Sequence, residues 1–245
     1  MSSAGAAAFD ATAFLLAGGQ GTRLRPAVAD RPKTLAPVSG RPFAEWLVRS
    51  LARQGIRRIV FCTGHMADQI ASHFGDGRAF GVEAVYSREE EPLGTAGALR
   101  LAAERMPGDA PVLALNADSY CDFDAARLAS THGTRRARGT LWLARADDAA
   151  RYGSVEVGSD GRVTAFAEKS AAHGPGWINA GIYALDRDVL AGIPAGVAAS
   201  LERQVLPALA ARGLWSVAGE SPLLDIGTPE SYARAEAFLE GTRPR

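Results

Sequence analysis

Four short apolar runs, residues 13–18, 57–64, 82–87 and 110–118, are separated by three segments of helix length, 42–55, 66–75 and 94–106. The first helical segment places Phe43, Trp46, Leu47 and Leu51 at helical spacing. Apolar strands alternating with such helices predict βαβ units around a mostly parallel sheet. The second half changes character. Residues 140–146, 152–169 and 177–187 read as strands joined by glycine-containing turns, with a hairpin turn at Ser159, Asp160 and Gly161. Residues 200–213 read as a helix broken near Pro207, and 229–240 as a closing helix that starts on a proline. The expected fold is a single α/β domain over residues 10–241, a central mixed, mostly parallel sheet flanked by helices. A small antiparallel-rich portion is expected at about 138–184, and flexible termini at 1–9 and 242–245.

Charge and composition exclude several classes. Twenty-seven basic residues balance twenty-seven acidic ones, which argues against a broad nucleic-acid or anionic-membrane face. The basic run Thr134–Arg138 has no aromatic platform interleaved with it and reads as a solvated loop. No run reaches the roughly eighteen apolar residues of a membrane span. The N-terminus lacks a basic leader region, so the cytoplasm is the expected location. Cys62 and Cys121 lie in or just after apolar runs and are expected as reduced, partly buried thiols. His65, His73, His132 and His173 show no metal-ligand spacing. The basic residues themselves are lopsided: Lys33 and Lys169 are the only lysines, against twenty-five arginines. A lysine offers a compact ammonium and an arginine a wide planar fork, so a site that needs a point charge cannot exchange them.

Both lysines sit in chemically suggestive segments. Gly18, Gly19 and Gly21 follow the first apolar run, where glycines permit positive φ and close backbone approach. Such a turn can cradle an anion, and Arg23, Arg25 and Lys33 follow it. The spacing is neither a Walker A loop nor a dinucleotide fingerprint. The apolar run at 110–118 ends on Asp118, which places a carboxylate at the C-terminal edge of a strand, where open α/β sheets bind ligands. Asp225 closes another short apolar run, and two carboxylates can hold one Mg²⁺ while leaving positions to phosphates and water. Asp122 and Asp124 read as loop or cap residues.

The segments LAGGQGTRLRP, RPKTLAPVSGRP, EEEPLGTAGAL, LNAD, AFAEK, INAGIY and DIGTPESY, in that order, cover nearly the whole chain. Together they resemble the sugar-1-phosphate nucleotidyltransferases, and most nearly the D-glycero-α-D-manno-heptose-1-phosphate guanylyltransferases. The resemblance implies a Rossmann-like nucleotide-diphospho-sugar transferase fold, Mg²⁺ dependence and release of pyrophosphate. It implies that Leu16, Ala17, Gly18, Gly19, Gly21, Thr22, Glu89, Gly94 and Thr95 bind the nucleoside triphosphate. Arg23, Lys33, Asp118 and Lys169 would act on the phosphates. Asn116, Glu168, Asn179 and Gly181 would bind the sugar 1-phosphate, and Asp118 and Asp225 the metal. The chain departs from the family pattern at Ala117, where a glycine is commoner, and at Ser170, where a proline is commoner.

Base choice has its own argument. Related enzymes read a pyrimidine edge with a glutamine, and the corresponding position, five before Gly94, is Glu89, with Glu90 and Glu91 beside it. A carboxylate has acceptors only, which suits the adjacent N1–H and N2 amine of guanine and not the uracil edge. GTP is therefore the expected donor. Uridylyl, thymidylyl or adenylyl transfer to a hexose 1-phosphate, and a non-catalytic nucleotide-sugar-binding module, are the alternatives. Trp46, Trp142 and Trp215 are expected in packing, while Trp177 could stack on a sugar or pack. Amphipathic surface helices allow a homodimer.

Overall fold

The computed structural model describes residues 8–149, 154–167 and 174–241. Its strands are β1 (Thr12–Leu16), β2 (Pro37–Val38), β3 (Arg41–Pro42), β4 (Arg58–Thr63), β5 (Glu83–Arg88), β6 (Val112–Asn116), β7 (Ser119–Tyr120), β8 (Gly139–Ala146), β9 (Ser154–Val157), β10 (Val163–Ala167), β11 (Gly176–Leu185), β12 (Leu214–Pro222) and β13 (Leu224–Asp225). The α-helices are α1 (Phe43–Arg53), α2 (Ala67–Phe74), α3 (Gly94–Arg105), α4 (Ala125–Thr134), α5 (Arg187–Ala191), α6 (Leu206–Ala210), α7 (Pro229–Ala233) and α8 (Ala235–Gly241). The main sheet runs β10-β9-β11-β6-β1-β4-β5, with β8 on β11 and β12 on β8. Strands β6, β1, β4 and β5 are mutually parallel, whereas β11 pairs antiparallel with β6, β8 and β9.

Period-two alternation divides the core. Ala13 and Leu15, Ile59 and Phe61, Leu113 and Leu115 face one layer with α1, α2 and α4. Phe14, Val60, Cys62, Val112 and Ala114 face the other, with α3, α5 and α6. A third cluster joins Leu24, Val38, Phe43, Leu224, Ile226 and Leu239. It packs the closing helix against the loop after β1 and against β13, and so clamps two segments distant in sequence at one end of the sheet.

The structure amends several sequence expectations. Strand β12 had no counterpart among them. Its sequence, LWSVAGESP, is mixed in character, and Gly219 serves to pass beneath Trp142, whose Nε1 would lie 2.5 Å from an added β-carbon. The segment 200–213 begins with a π-helical turn, Leu201–Val205, and Pro207 then lies in the first turn of α6. The helix runs on from the π turn without a break, Leu206 N–H bonding the Leu201 carbonyl, so Pro207 sits where the hydrogen-bond pattern changes from π to α. The closing helix is divided at Arg234 into α7 and α8, and α7 starts with a reciprocal capping box between Thr228 and Ser231. The turn at 159–161 does join β9 to β10, with Gly161 at φ +89°. Among the described residues no helix is long and apolar enough to cross a membrane. Cys62 and Cys121 are free and buried, and burial pushes the Cys121 thiol up to about 12.

Candidate active site

Strands β1, β4 and β6 end side by side, and a cavity of about 950 Å³ opens over their carboxyl ends. Leaving β1, the chain turns through Gly18 and Gly19 and reaches Gly21 at φ +61°. The N–H groups of Leu24 and Arg25 fold back on the Gly21 carbonyl at 2.9 and 3.2 Å. Lys33, at the start of a short 3₁₀ turn, sends its side chain back across this loop. A β-carbon on Gly21 would lie 3.3 Å from Lys33 Cβ, and one on Gly19 would lie 3.7 Å from Lys33 Cε. The bare glycines therefore bound the corridor that the lysine follows. At its end Lys33 Nζ donates to Asp118 Oδ2.

Asp118 follows β6 and directly precedes β7, which pairs with β13 so that Ser119 opposes Asp225. This two-stranded ribbon brings the two carboxylates together from opposite halves of the chain. Ser119 Oγ lies 3.5 Å from both Asp118 Oδ1 and Asp225 Oδ2. Ile226 N–H donates to the Asp118 carbonyl at 3.0 Å, and Gly227 N–H to Asp225 Oδ1 at 2.6 Å. Burial raises the Asp225 carboxyl above its ordinary value, and the Asp118 charge adds to it. The Gly227 N–H, Lys33 and Arg23 pull the other way. The two crowded carboxylates, faced by Lys33 and by Arg23, form a hard-oxygen site that an added cation would relieve further. Among the described residues no group of three or more His, Cys, Asp and Glu side chains could cage a metal. Asp118 and Asp225 are the residues that could hold a divalent cation through oxygen ligands, leaving its further positions to water and substrate oxygens.

The opposite wall is built by β5 and the start of α3. Glu89 continues the β5 edge, its N–H donating to the Thr63 carbonyl at 2.9 Å, and its Oε2 accepts from Leu93 N–H at 3.0 Å. Its carboxylate lies across two glycines: a β-carbon on Gly18 or Gly64 would come within 2.8 or 2.7 Å of Oε1. Burial raises the half-buried Glu89 carboxyl, opposed by the Leu93 N–H. Gly94, at φ +68°, starts α3 hard against the Ala199 carbonyl, 2.6 Å from the place of a β-carbon. Between the two walls Asn116 projects from the end of β6 into the lining, and its buried Oδ1 has no hydrogen-bond partner among the described residues.

Of the residues expected to act on substrates, Leu16, Gly18, Gly19, Lys33, Glu89, Gly94, Thr95, Asn116 and Asp118 line this cavity. Ala17 does not: it is buried and its N–H donates to the Cys62 carbonyl at 2.8 Å. Thr22 and Arg23 are exposed on the loop outside the lining. Asn179 and Gly181 stand behind Asn116, in the irregular stretch of β11. Glu168 and Lys169 lie outside the described residues. Trp177 packs against the core, with the Arg145 guanidinium 5.6 Å from its ring centre. Asp124 is a helix cap, accepting from the N–H groups of Ala126 and Arg127. Gly64, Arg88 and Arg105 in the lining were not anticipated from the sequence, whereas His65, which follows a strand and was expected to be able to reach the pocket, does line it. Gly64 had a signal, since it ends the second apolar run as Gly18 ends the first; the two arginines had none among twenty-five.

Residues 12–242 match the family described as Nucleotidyl transferase. The chain belongs to the nucleotidyl transferase family. Within it, this nucleotidyl transferase is 37% identical over 230 residues to a mannose-1-phosphate guanylyltransferase of Mycobacterium tuberculosis, covering 93% of this chain and 64% of that protein. It is 32% identical to the D-glycero-α-D-manno-heptose 1-phosphate guanylyltransferase of Aneurinibacillus thermoaerophilus, over 93% of this chain and 98% of that one. Its fold is similar to the crystal structure of HddC from Yersinia pseudotuberculosis complexed with GMP-PN, with a TM-score of 0.81, 29% identity, and 93% and 99% of the two chains covered. The chain thus spans less than two thirds of the mannose-1-phosphate relative and almost the full length of the heptose one.

Proposed function

We propose that this nucleotidyl transferase moves a guanylyl group from GTP to a sugar 1-phosphate, D-glycero-α-D-manno-heptose 1-phosphate first, releasing pyrophosphate. Residues 10–241 act as one nucleotidyltransferase domain, in the cytoplasm, where nucleoside triphosphates are available. One observation carries the reading: a single cavity has the Lys33–Asp118 pair on one wall and the Glu89 carboxylate on the other. The first is chemistry for phosphates and the second for a base edge that only donates.

The chemistry asked of the protein is positioning and charge stabilisation during an in-line attack of the sugar phosphate oxygen on the α-phosphorus. Gly18 and Gly19 let the triphosphate approach the backbone. Lys33 supplies a point charge near the α-phosphate, and the exposed Arg23 holds the leaving phosphates. Asp118 and Asp225 would hold Mg²⁺, which when bound offsets phosphate charge and templates the geometry. Asn116 lines the cavity beside Asp118 and is placed to meet a sugar hydroxyl. Glu168 and Lys169 keep the roles that the family likeness gives them, binding sugar hydroxyls and neutralising the incoming phosphate.

Mannose 1-phosphate is the second reading of the acceptor, favoured by the 37% identity to a mannose-1-phosphate guanylyltransferase. The test is a matrix of four nucleoside triphosphates against heptose, mannose, glucose and N-acetylglucosamine 1-phosphates, read by product mass. GDP-heptose as the dominant product is expected. Tight nucleotide binding with no pyrophosphate from any pair would leave a binding module in its place.

A further inference from the structure

We propose that Glu202 is a positioning residue for the sugar side of the cavity, acting by fixing hydrogen-bond polarity through Tyr183 and Asn179; this rests on the sugar 1-phosphate activity proposed above. Three hydroxyls converge on its carboxylate. Thr95 Oγ1 donates to Oε2 at 2.8 Å, Ser200 Oγ to Oε2 at 3.1 Å, and Tyr183 OH to Oε1 at 3.5 Å. Thr95 Oγ1 itself accepts from Leu201 N–H at 2.8 Å, which leaves its proton for Glu202. An ionised carboxylate only accepts. The Tyr183 proton must therefore point toward Glu202, and its oxygen is left to accept.

Asn179 supplies the matching donor, with Nδ2 2.8 Å from the Tyr183 oxygen. With its amine committed there, Asn179 turns Oδ1 to the Gly181 N–H at 3.0 Å. Gly181 has φ +72°, and a β-carbon there would lie 2.6 Å from Asn116 Nδ2. The chain of contacts thus ends on the asparagine that lines the cavity. Tyr183 is fully buried, and burial together with the Glu202 charge holds its phenol well above the ordinary range, so the relay keeps its proton.

Glutamine at position 202 would reverse the polarity. Its amine can donate to the Tyr183 oxygen, which sends the tyrosine proton toward Asn179 and favours a flipped amide, with an amine facing the Gly181 N–H. A backbone turn held by that bond then loses it, behind Asn116. A plain structural role would lower the melting temperature and the active fraction, hence the apparent kcat, and leave the KM values alone.

The experiment is steady-state kinetics with GTP and the sugar 1-phosphate (heptose or mannose) varied separately. It compares wild type, Glu202→Gln, Tyr183→Phe and the double variant. The KM for the sugar phosphate should rise about three- to tenfold in each single variant, the worth of one lost hydrogen bond, with the KM for GTP within about twofold. The double variant should be no worse than the more affected single one, because one relay is broken twice. Tyr183→Phe, which removes one oxygen from the ring, carries the test alone if Glu202→Gln does not fold. An unchanged sugar KM, a parallel rise for both substrates, or additive losses would overturn the inference. A wild type that turns over no sugar 1-phosphate would overturn the activity beneath it; wild-type turnover with unmoved variants would overturn the relay alone.

Discussion

Lys33 lies between the glycine loop and Asp118, and its neighbours explain why arginine was not used there. Its stem runs beside Gly19 and Gly21 and delivers a compact ammonium to Asp118, where arginine would present a wide fork instead of a point charge. Lys33→Arg should lower kcat/KM tenfold or more, on the order of 1.4 kcal/mol, and Lys169→Arg should do the same chiefly through the sugar phosphate. Kinetics near wild type for both would contradict the assignment. Asp225 was legible as a carboxylate that ends an apolar run. Its pairing with Asp118 across 107 positions was expected from the shared strand-end pattern, but the β7–β13 ribbon that brings the two together leaves no local signal. Asp225→Asn should weaken Mn²⁺ binding, followed by paramagnetic relaxation of water, by about tenfold or more, since a hard cation loses a charged ligand. Binding as in wild type would make Asp225 structural. Glu89 carries a pH signature. Its carboxyl is raised in the folded chain by burial, so the folded state holds its proton more tightly than the unfolded one. The stabilising contribution is full below the unfolded value of about 4.3 and is lost as pH rises through the raised folded value. In urea melts, the stability difference between wild type and Glu89→Gln should move in favour of wild type as pH falls toward that window. A difference that stays flat with pH would contradict it.

The helices within 42–55, 66–75 and 94–106 and the strand ends were the most legible elements, whereas α4 and α5 had no counterpart in the sequence expectations and glycines at forced conformations were the least legible. The parallel strands β1, β4 and β6 follow the apolar runs because each is buried on both faces and needs no polar alternation, while β5 at the sheet edge is only partly buried. Strand β12 escaped notice because its residues satisfy neither that pattern nor strict alternation, and its Gly219 exists to admit Trp142. Gly94 was expected as a ligand-facing turn. Its structural demand is larger: φ of +68°, with Ala199 O where a β-carbon would go, and with Ala199 O also receiving the Ala96 N–H at 2.9 Å. Gly94→Ala should cost about 1–3 kcal/mol of folding stability, read by urea denaturation, and should shift the start of α3 away from the cavity wall. A loss below about 0.5 kcal/mol would show that the junction tolerates a side chain.

At the scale of the molecule, the sheet places three strand ends together over a cavity lined by residues between Leu16 and Asp118, and the second half of the chain adds Asp225 beside Asp118 through the β7–β13 ribbon. The class of fold and the glycine–lysine segment could be read from the first forty residues and the alternation after them. The second half was less readable, since β11 pairs with three strands and its register changes between Asn179 and Tyr183. That irregularity sets Gly181 behind Asn116, a relation no spacing rule encodes. The nucleoside triphosphates all carry the same charge, so discrimination among them rests on contacts to the base. Specificity is a difference of affinities, and under the proposed function Glu89 would supply both parts: acceptors for guanine and a repelled carbonyl for uracil. The decisive measurement is the ratio of kcat/KM for GTP over UTP in wild type and in Glu89→Gln. A wild-type ratio well above one that falls by about 1–3 kcal/mol, roughly five- to 150-fold, in the variant is predicted. A wild type that prefers UTP, or a ratio unmoved by the substitution, would contradict the account.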